Sequence, residues 1–271
     1  MATTGAERLA SRRKEQQPDF AAVRRFEAAG FRAWPAASVQ YDGTWAIRLT
    51  PGHAAKRLNS INPLDPADVG DIEARIARVK PRFEGYGRTL TFRMTPLSGA
   101  ALSSHLDSQG WQSFGESAVM RAPLDEADLS GAIDQIPLKD IPRFVKAAIG
   151  VRGADPFTRS GLAEIISSIE PEAGLFVHEN DDRPVACSIC VHDGELAGLF
   201  EVATDAGERR KGHARRLVLS ALKWSRQHGA RQAWLQVEAD NKAAIALYRS
   251  LGFAEIYRYH YCQPPKRQGR G

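Results

Sequence analysis

Apolar positions along this chain change their spacing several times, and each change marks an element. Trp45-Ala46-Ile47-Arg48-Leu49 and Leu90-Thr91-Phe92-Arg93-Met94 read as short strands. Between them Ile72, Ile76, Val79 and Phe83 recur at helical spacing and make one face. Phe144–Ala148, just after Pro142, and Leu162–Ile169 read as two more helices. Cys187–Val191 and the run Leu199–Thr204 read as strands. Leu217, Val218, Ala221, Leu222 and Trp224 form the face of the next helix, and Gln232–Val237 is another mostly apolar strand. Asn241 is placed to cap a short helix carrying Ala243, Ala244, Leu247, Tyr248 and Leu251. Gly252 suits its stop, where a left-handed residue is needed. From Phe253 the alternation of Tyr257, Tyr259 and Tyr261 predicts a last strand. Strands mixed with helices predict an α/β fold of the mixed α+β kind.

The pattern repeats. Slid against itself by 142 residues without gaps, the chain brings Gly52 onto Gly194, Gly70 onto Gly212, Gly87 onto Gly229 and Gly110 onto Gly252. Ile47 meets Ile189, Trp111 meets Phe253, and the helix after Gly70 meets the helix after Gly212. Two copies of one fold in tandem account for this. The join is expected near Arg121–Ile136, a stretch punctuated by Pro123, Gly131 and Pro137. The boundaries that follow are a tail over 1–17, copies over 18–122 and 123–263, and a basic tail over 264–271; both tails are expected to be disordered.

The two copies differ where chemistry would be done. In the second, a strand feeds the turn Arg209-Arg210-Lys211-Gly212-His213-Ala214-Arg215-Arg216, which opens a helix. The first amides of a helix have no intrahelical partner, and the helix dipole makes that end positive. Arg209, Arg210, Lys211, Arg215 and Arg216 add five cations, while Gly212 and Ala214 leave the backbone open, so an anionic phosphate could approach. The first copy has Ala67-Asp68-Val69 against Arg209–Lys211, Asp71 against His213, Gly99 against Asn241 and Leu106 against Tyr248. Carboxylates at that helix start repel phosphate, so the first copy keeps the scaffold without the ligand chemistry.

Arg209-x-x-Gly212-x-Ala214, followed by Asn241-x-x-Ala244-x-x-Leu247-Tyr248-x-x-x-Gly252-Phe253, resembles the GNAT superfamily of acetyl-CoA-dependent N-acetyltransferases over roughly residues 175–261. The resemblance implies two tandem GNAT-like domains, the first degenerate. Each would be a splayed, mostly antiparallel central sheet flanked by helices. It implies acetyl-CoA as co-substrate, with its pyrophosphate on Arg209, Arg210, Lys211, Gly212, His213, Ala214 and Arg215. The pantetheine arm would run along Val202, Ala203 and Thr204, with Asn241 and Tyr248 nearby. His213 is expected to act through its backbone.

Acetyl transfer to an amine needs two proton movements. An alkylammonium with a pKa of about 10 must lose its proton before attack, and the departing thiolate is helped by an acid. The resemblance implies Tyr248 as that acid and Glu201 as the base, with Glu238 as the second candidate. Packing of Tyr248 on the sheet, solvation of Glu201 and plain capping by Asn241 are the competing readings of the same residues. Arg152, Asp155 and Arg159 fall between the two helices predicted over 144–169, on the side where the acceptor is expected. Lys56-Arg57, followed by Asn59-Ser60-Ile61-Asn62-Pro63, is the most unusual local text of the first copy.

A length of 271 residues suits two moderate domains, and 43% hydrophobic with 25% charged residues is ordinary for a globular chain. The net charge of +5 lies largely at the two ends, so neither a nucleic-acid nor a membrane partner is expected. Three cysteines give no disulfide framework; Cys187 and Cys190 point to opposite faces of a strand, and no metal site is expected. A cytoplasmic setting follows from cysteine usage and the missing secretory signal. The expected function is transfer of an acetyl group to a primary amine of a small molecule or peptide, by a monomer or homodimer. The alternative is a non-catalytic acyl-CoA-binding sensor or assembly module.

Overall fold

Ten strands join in one sheet, in the order β1-β2-β3-β4-β10-β5-β9-β8-β7-β6. This computed structural model describes residues 19–265; the tail expected over 1–17, and residues 266–271 of the second tail, lie outside the described residues. The first half runs α1 (Phe20–Ala33), β1 (Ser38–Asp42), β2 (Trp45–Leu49), β3 (Ser60–Pro63), α2 (Ile72–Gly85), β4 (Phe92–Met94), α3 (Gly99–Ser108) and β5 (Gln112–Pro123). The second runs α4 (Ile141–Arg152), α5 (Arg159–Ser167), β6 (Glu172–Asn180), β7 (Arg183–Asp193), β8 (Leu196–Thr204), α6 (His213–Gln227), β9 (Gln232–Glu238), α7 (Lys242–Ser250) and β10 (Ala254–Gln263).

The repeat read from the glycines is a repeat of elements. Displaced by 142 residues, α2 falls on 214–227 beside α6, α3 on 241–250 beside α7, and β5 on 254–265 beside β10. In each half a parallel pair flanks the corresponding helix: β3 with β4 around α2, and β8 with β9 around α6. All other pairs are antiparallel.

The halves also trade strands. β5, the last strand of the first half, pairs with β9, and β10, the last of the second, pairs with β4; β5 and β10 pair with each other at the centre. Packing follows the trade. Ala118, Met120 and Ala122 of β5 sit in the core around α6, and Cys262 of β10 sits in the core around α2. Helix α1, which the apolar spacing did not flag, starts on Asp19, whose carboxylate accepts from Ala22 N at 3.0 Å. It packs Phe26 against Trp234, and its core cluster spans both halves. Each of the three buried clusters draws residues from both sides of 122/123.

Two local features set up the site. β8 and β9 pair only from Leu196↔Gln232 to Leu199↔Leu235, so beyond that point the strands part and leave a V. On its other side β8 pairs Cys187 with Ala203 but Ile189 with Phe200, an irregularity that places an extra residue near Glu201. Glu201 has φ 53, a left-handed conformation a non-glycine residue seldom adopts.

Candidate functional site

The V opens into a cavity of about 880 Å³. Val202, Ala203 and Thr204 of the unpaired end of β8 form one wall, Arg209, Arg210, Gly212, His213, Ala214 and Arg215 the head, and Asn241, Ala244 and Leu247 the opposite wall. Gly150 to Gly153, at the end of α4, also line it. Of the expected ligand residues, Lys211 and Tyr248 do not line the cavity. Lys211 Nζ turns to Glu208, 3.1 Å from each carboxylate oxygen. Tyr248 is buried and packs edge-on to Phe253 at 5.8 Å.

The head of the cavity is an open helix start. Arg210 (φ 65) and Gly212 (φ 83) are both left-handed, and no side chain caps α6. Any side chain at the φ of Gly212 is strained. The first helical backbone bond runs from Arg216 N to Gly212 O at 3.1 Å, which leaves the amides of 213–215 without an intrahelical acceptor. Glu208 organises the turn: it takes Lys211, lies 3.4 Å from Arg183 Nη2, and meets His213 Nε2 at 3.3 Å. The Lys211 contact first, then His213 and Arg183, holds its carboxyl below the usual carboxylate range. His213 is buried, and its Nδ1 also meets Arg216 Nη2 at 3.1 Å.

Asn241 does cap α7, accepting from Ala244 N at 3.1 Å, and it lines the cavity at the same time. Burial pushes the Tyr248 hydroxyl up to about 12. Glu201 lies at the bulge beyond Val202 and is engaged by two guanidiniums: Arg152 Nη2 at 2.9 Å and Arg57 Nη2 at 3.5 Å. Glu238 faces away, with Gly115, Glu116, Asp240 and Arg258 around a separate depression.

Arg57 could not be placed from the sequence. It stands on the loop between β2 and β3, far from Glu201 along the chain, and only its unusual basic neighbourhood marked it. Arg152, expected in a loop facing the acceptor, closes α4 and reaches the cavity wall. Asp155 instead caps the short turn after it, accepting from Phe157 N at 3.0 Å. Cys187 and Cys190 lie in different cores on opposite faces of β7, and burial pushes both thiols up to about 12. Among the described residues no group of acidic, histidine or cysteine side chains could hold a metal ion, and no helix is long and apolar enough to cross a membrane.

Residues 146–253 match the profile described as the Acetyltransferase (GNAT) family. The uncharacterized N-acetyltransferase YobR of Bacillus subtilis is 23% identical over 248 residues, 88% of this chain and 97% of its own. The ribosomal protein bS18-alanine N-acetyltransferase of Salmonella typhimurium is 41% identical over 91 residues, which cover 33% of this chain and 60% of that protein. Among solved structures, the GCN5-related N-acetyltransferase from Kribbella flavida superposes with a TM-score of 0.64 at 16% identity, covering 92% of this chain and 96% of that one.

Proposed function

We propose that this acyltransferase, whose residues 146–253 belong to the GNAT acetyltransferase family, moves an acetyl group from acetyl-CoA to an amine by direct transfer. The observation that carries the reading is the uncapped start of α6 at the head of a cavity walled by the unpaired end of β8. Free amides and a positive helix end suit a pyrophosphate. Exposed backbone on Val202–Thr204 suits an extended arm that pairs as a strand would. Arg209, Arg210 and Arg215 on the wall supply charge; Lys211 acts indirectly, by engaging Glu208.

The thioester carbon then lies towards Glu201 and Arg152, at the end of the cavity away from the phosphates. The amine gives up a proton, its lone pair attacks the carbonyl carbon, and the C–S bond breaks. Glu201, the carboxylate at the bulge, receives the amine's proton directly or through water. Tyr248, whose hydroxyl stays protonated at neutral pH, returns one to the leaving sulfur. Buried as it is, Tyr248 must reach the sulfur past Ala244 and Leu247, which stand on the wall.

Calorimetry with acetyl-CoA and thiol release with a panel of amines test this. Binding followed by release is expected. Tyr248→Phe is expected to lower kcat about tenfold or more while leaving acetyl-CoA affinity in place, since the proton is needed only as the thiolate leaves. Unchanged turnover in that variant removes the acid role. Binding without release from any amine leaves an acyl-CoA-binding module.

A further inference from the structure

The acceptor's wall is assembled from both halves of the chain, and it carries more positive than negative charge. Arg57, from the first half, and Arg152, from the second, converge on the single carboxylate of Glu201. Arg88, between α2 and β4, braces the loop that carries Arg57, donating to Pro51 O at 3.0 Å and to His53 O at 3.4 Å. Glu164 of α5, an exposed carboxylate, stands beside Gly52 of the same loop. Glu201 is the most enclosed member, with 11% of its side chain exposed, against 27% for Arg57 and 38% for Arg152. Each guanidinium carries five N–H donors in a planar fork, and one carboxylate offers about four acceptor sites, so the two arginines bring more donors than Glu201 can accept, and both are more exposed than it is.

Arg57 is held for this position. Its guanidinium lies over the rings of Trp34 (4.8 Å) and Phe200 (5.6 Å). Its carbonyl accepts from Arg48 Nη1 at 3.0 Å. The loop it stands on is tied by Asn59, which accepts from Thr50 N at 2.9 Å and donates to His53 O at 2.8 Å and Ala55 O at 3.0 Å. A side chain needed only to neutralise Glu201 requires no such scaffold, because Arg152 already meets that carboxylate at 2.9 Å.

We propose that the acceptor is an amine bearing its own anionic group close by, a carboxylate or a phosphate. The anion rests on Arg57 and Arg152, and the ammonium faces Glu201. The first half, which lacks the phosphate chemistry of the second, then supplies substrate selection. This rests on the acyl-transfer reading above. Charged pairs that match in this way set orientation and partner choice.

The test is thiol release from acetyl-CoA with matched acceptors: β-alanine against its amide, 2-aminoethyl phosphate against ethanolamine, and a dipeptide against its C-terminal amide. In at least one pair the anionic member is expected to show roughly tenfold or greater kcat/KM, and the pair identifies the anion. Arg57→Gln is expected to shrink that ratio about fivefold or more without changing acetyl-CoA affinity, and Arg57→Lys, which keeps the charge but loses the planar fork and the stacking, to leave a ratio between those of Arg57→Gln and wild type. The proposal is overturned by equal or better turnover of the neutral members, by a ratio that survives Arg57→Gln, or by a protein that binds acetyl-CoA and acetylates no anionic amine. A protein that gives no heat with acetyl-CoA overturns the acyl-transfer reading beneath it, and this proposal with it.

Discussion

Two helix starts in this molecule hold matching places in the repeat and have opposite chemistry. Before α6, Arg210 and Gly212 turn left-handed, nothing caps the helix, and the turn opens on a cavity. Before α2, Asp71 (φ 47) turns left-handed, again without a side-chain cap, one residue out of step with Gly212 in the repeat. There the space is used up. Asp68, in the place of Arg210, accepts from Thr44 N at 2.8 Å, Thr44 Oγ1 at 2.7 Å and Arg75 Nη1 at 2.8 Å. Arg75, only 5% exposed, continues to Asp42 at 3.2 Å and lies 3.9 Å over the Trp45 ring. One turn satisfies itself with its own ions, and the other leaves donors for a ligand. The fold fixes where each helix start lies, and a handful of side chains decides whether it is open.

The largest expected effect breaks the closed turn. Arg75→Met leaves Asp68 without its cation and Asp42 with Arg78 alone, at 2.7 Å. Removing one partner of a buried ion pair costs about 3–5 kcal/mol. Urea or thermal unfolding reads the loss, and acetyl-CoA binding by the folded variant is expected to persist because the open turn lies in the other half. Stability unchanged within about 0.5 kcal/mol shows that the closed turn is ornamental to the fold.

That contrast was legible in outline. Asp68 facing Arg210 and Asp71 facing His213 across the repeat predicted that one turn had lost phosphate chemistry, and the alternation of Tyr257, Tyr259 and Tyr261 predicted a strand whose inward ring positions are buried. What hid was everything carried by contacts between the halves. β5 reads poorly as a strand because its largely exposed start, Gln112-Ser113-Phe114-Gly115-Glu116, gives no clean alternation; its strand character comes from β9 and β10 on either side. The Arg57–Glu201 pair depends on a loop of one half reaching a bulge of the other, and local spacing holds no record of that. Tyr248 was legible as a helix aromatic, but its burial behind Ala244 and Leu247 is set by Phe253 and by the packing of α7 on the sheet.

A smaller effect closes the open turn. Arg210→Glu places a carboxylate on the cavity wall at the position Asp68 occupies in the other half. Acetyl-CoA affinity by calorimetry is expected to fall about 10–100-fold, equivalent to roughly 1.4–2.7 kcal/mol. The loss should shrink as salt rises, since a partly exposed charge is screened. An unchanged affinity means that the phosphates rest elsewhere and the two turns are alike in function as well as in shape.

The smallest effect is a difference in acid stability between the halves. Burial acts to raise the Asp68 carboxyl, but the Arg75 guanidinium and the Thr44 donors outweigh it and hold the group at about 2, against an ordinary 3.8. A carboxyl depressed on folding contributes stability that is present above its unfolded value and is lost as pH falls through the folded one. The window is therefore from about pH 4 down to about pH 2. A tenfold change in acidity corresponds to about 1.4 kcal/mol before solvent screening, and a group 21% exposed keeps only part of it, so about 1 kcal/mol is expected. Glu208 is depressed as well, so acid destabilises the wild-type protein through both halves, and the comparison must be made by difference. Denaturant midpoints at pH 5 and pH 3 should lie closer together in Asp68→Asn than in wild type. The carboxamide introduced by that substitution does not titrate in this range, so the share of the acid loss that disappears with it belongs to the closed turn. Equal acid losses in the two proteins would mean that Asp68 titrates normally, and that Arg75 is held by Asp42 and the Trp45 ring alone.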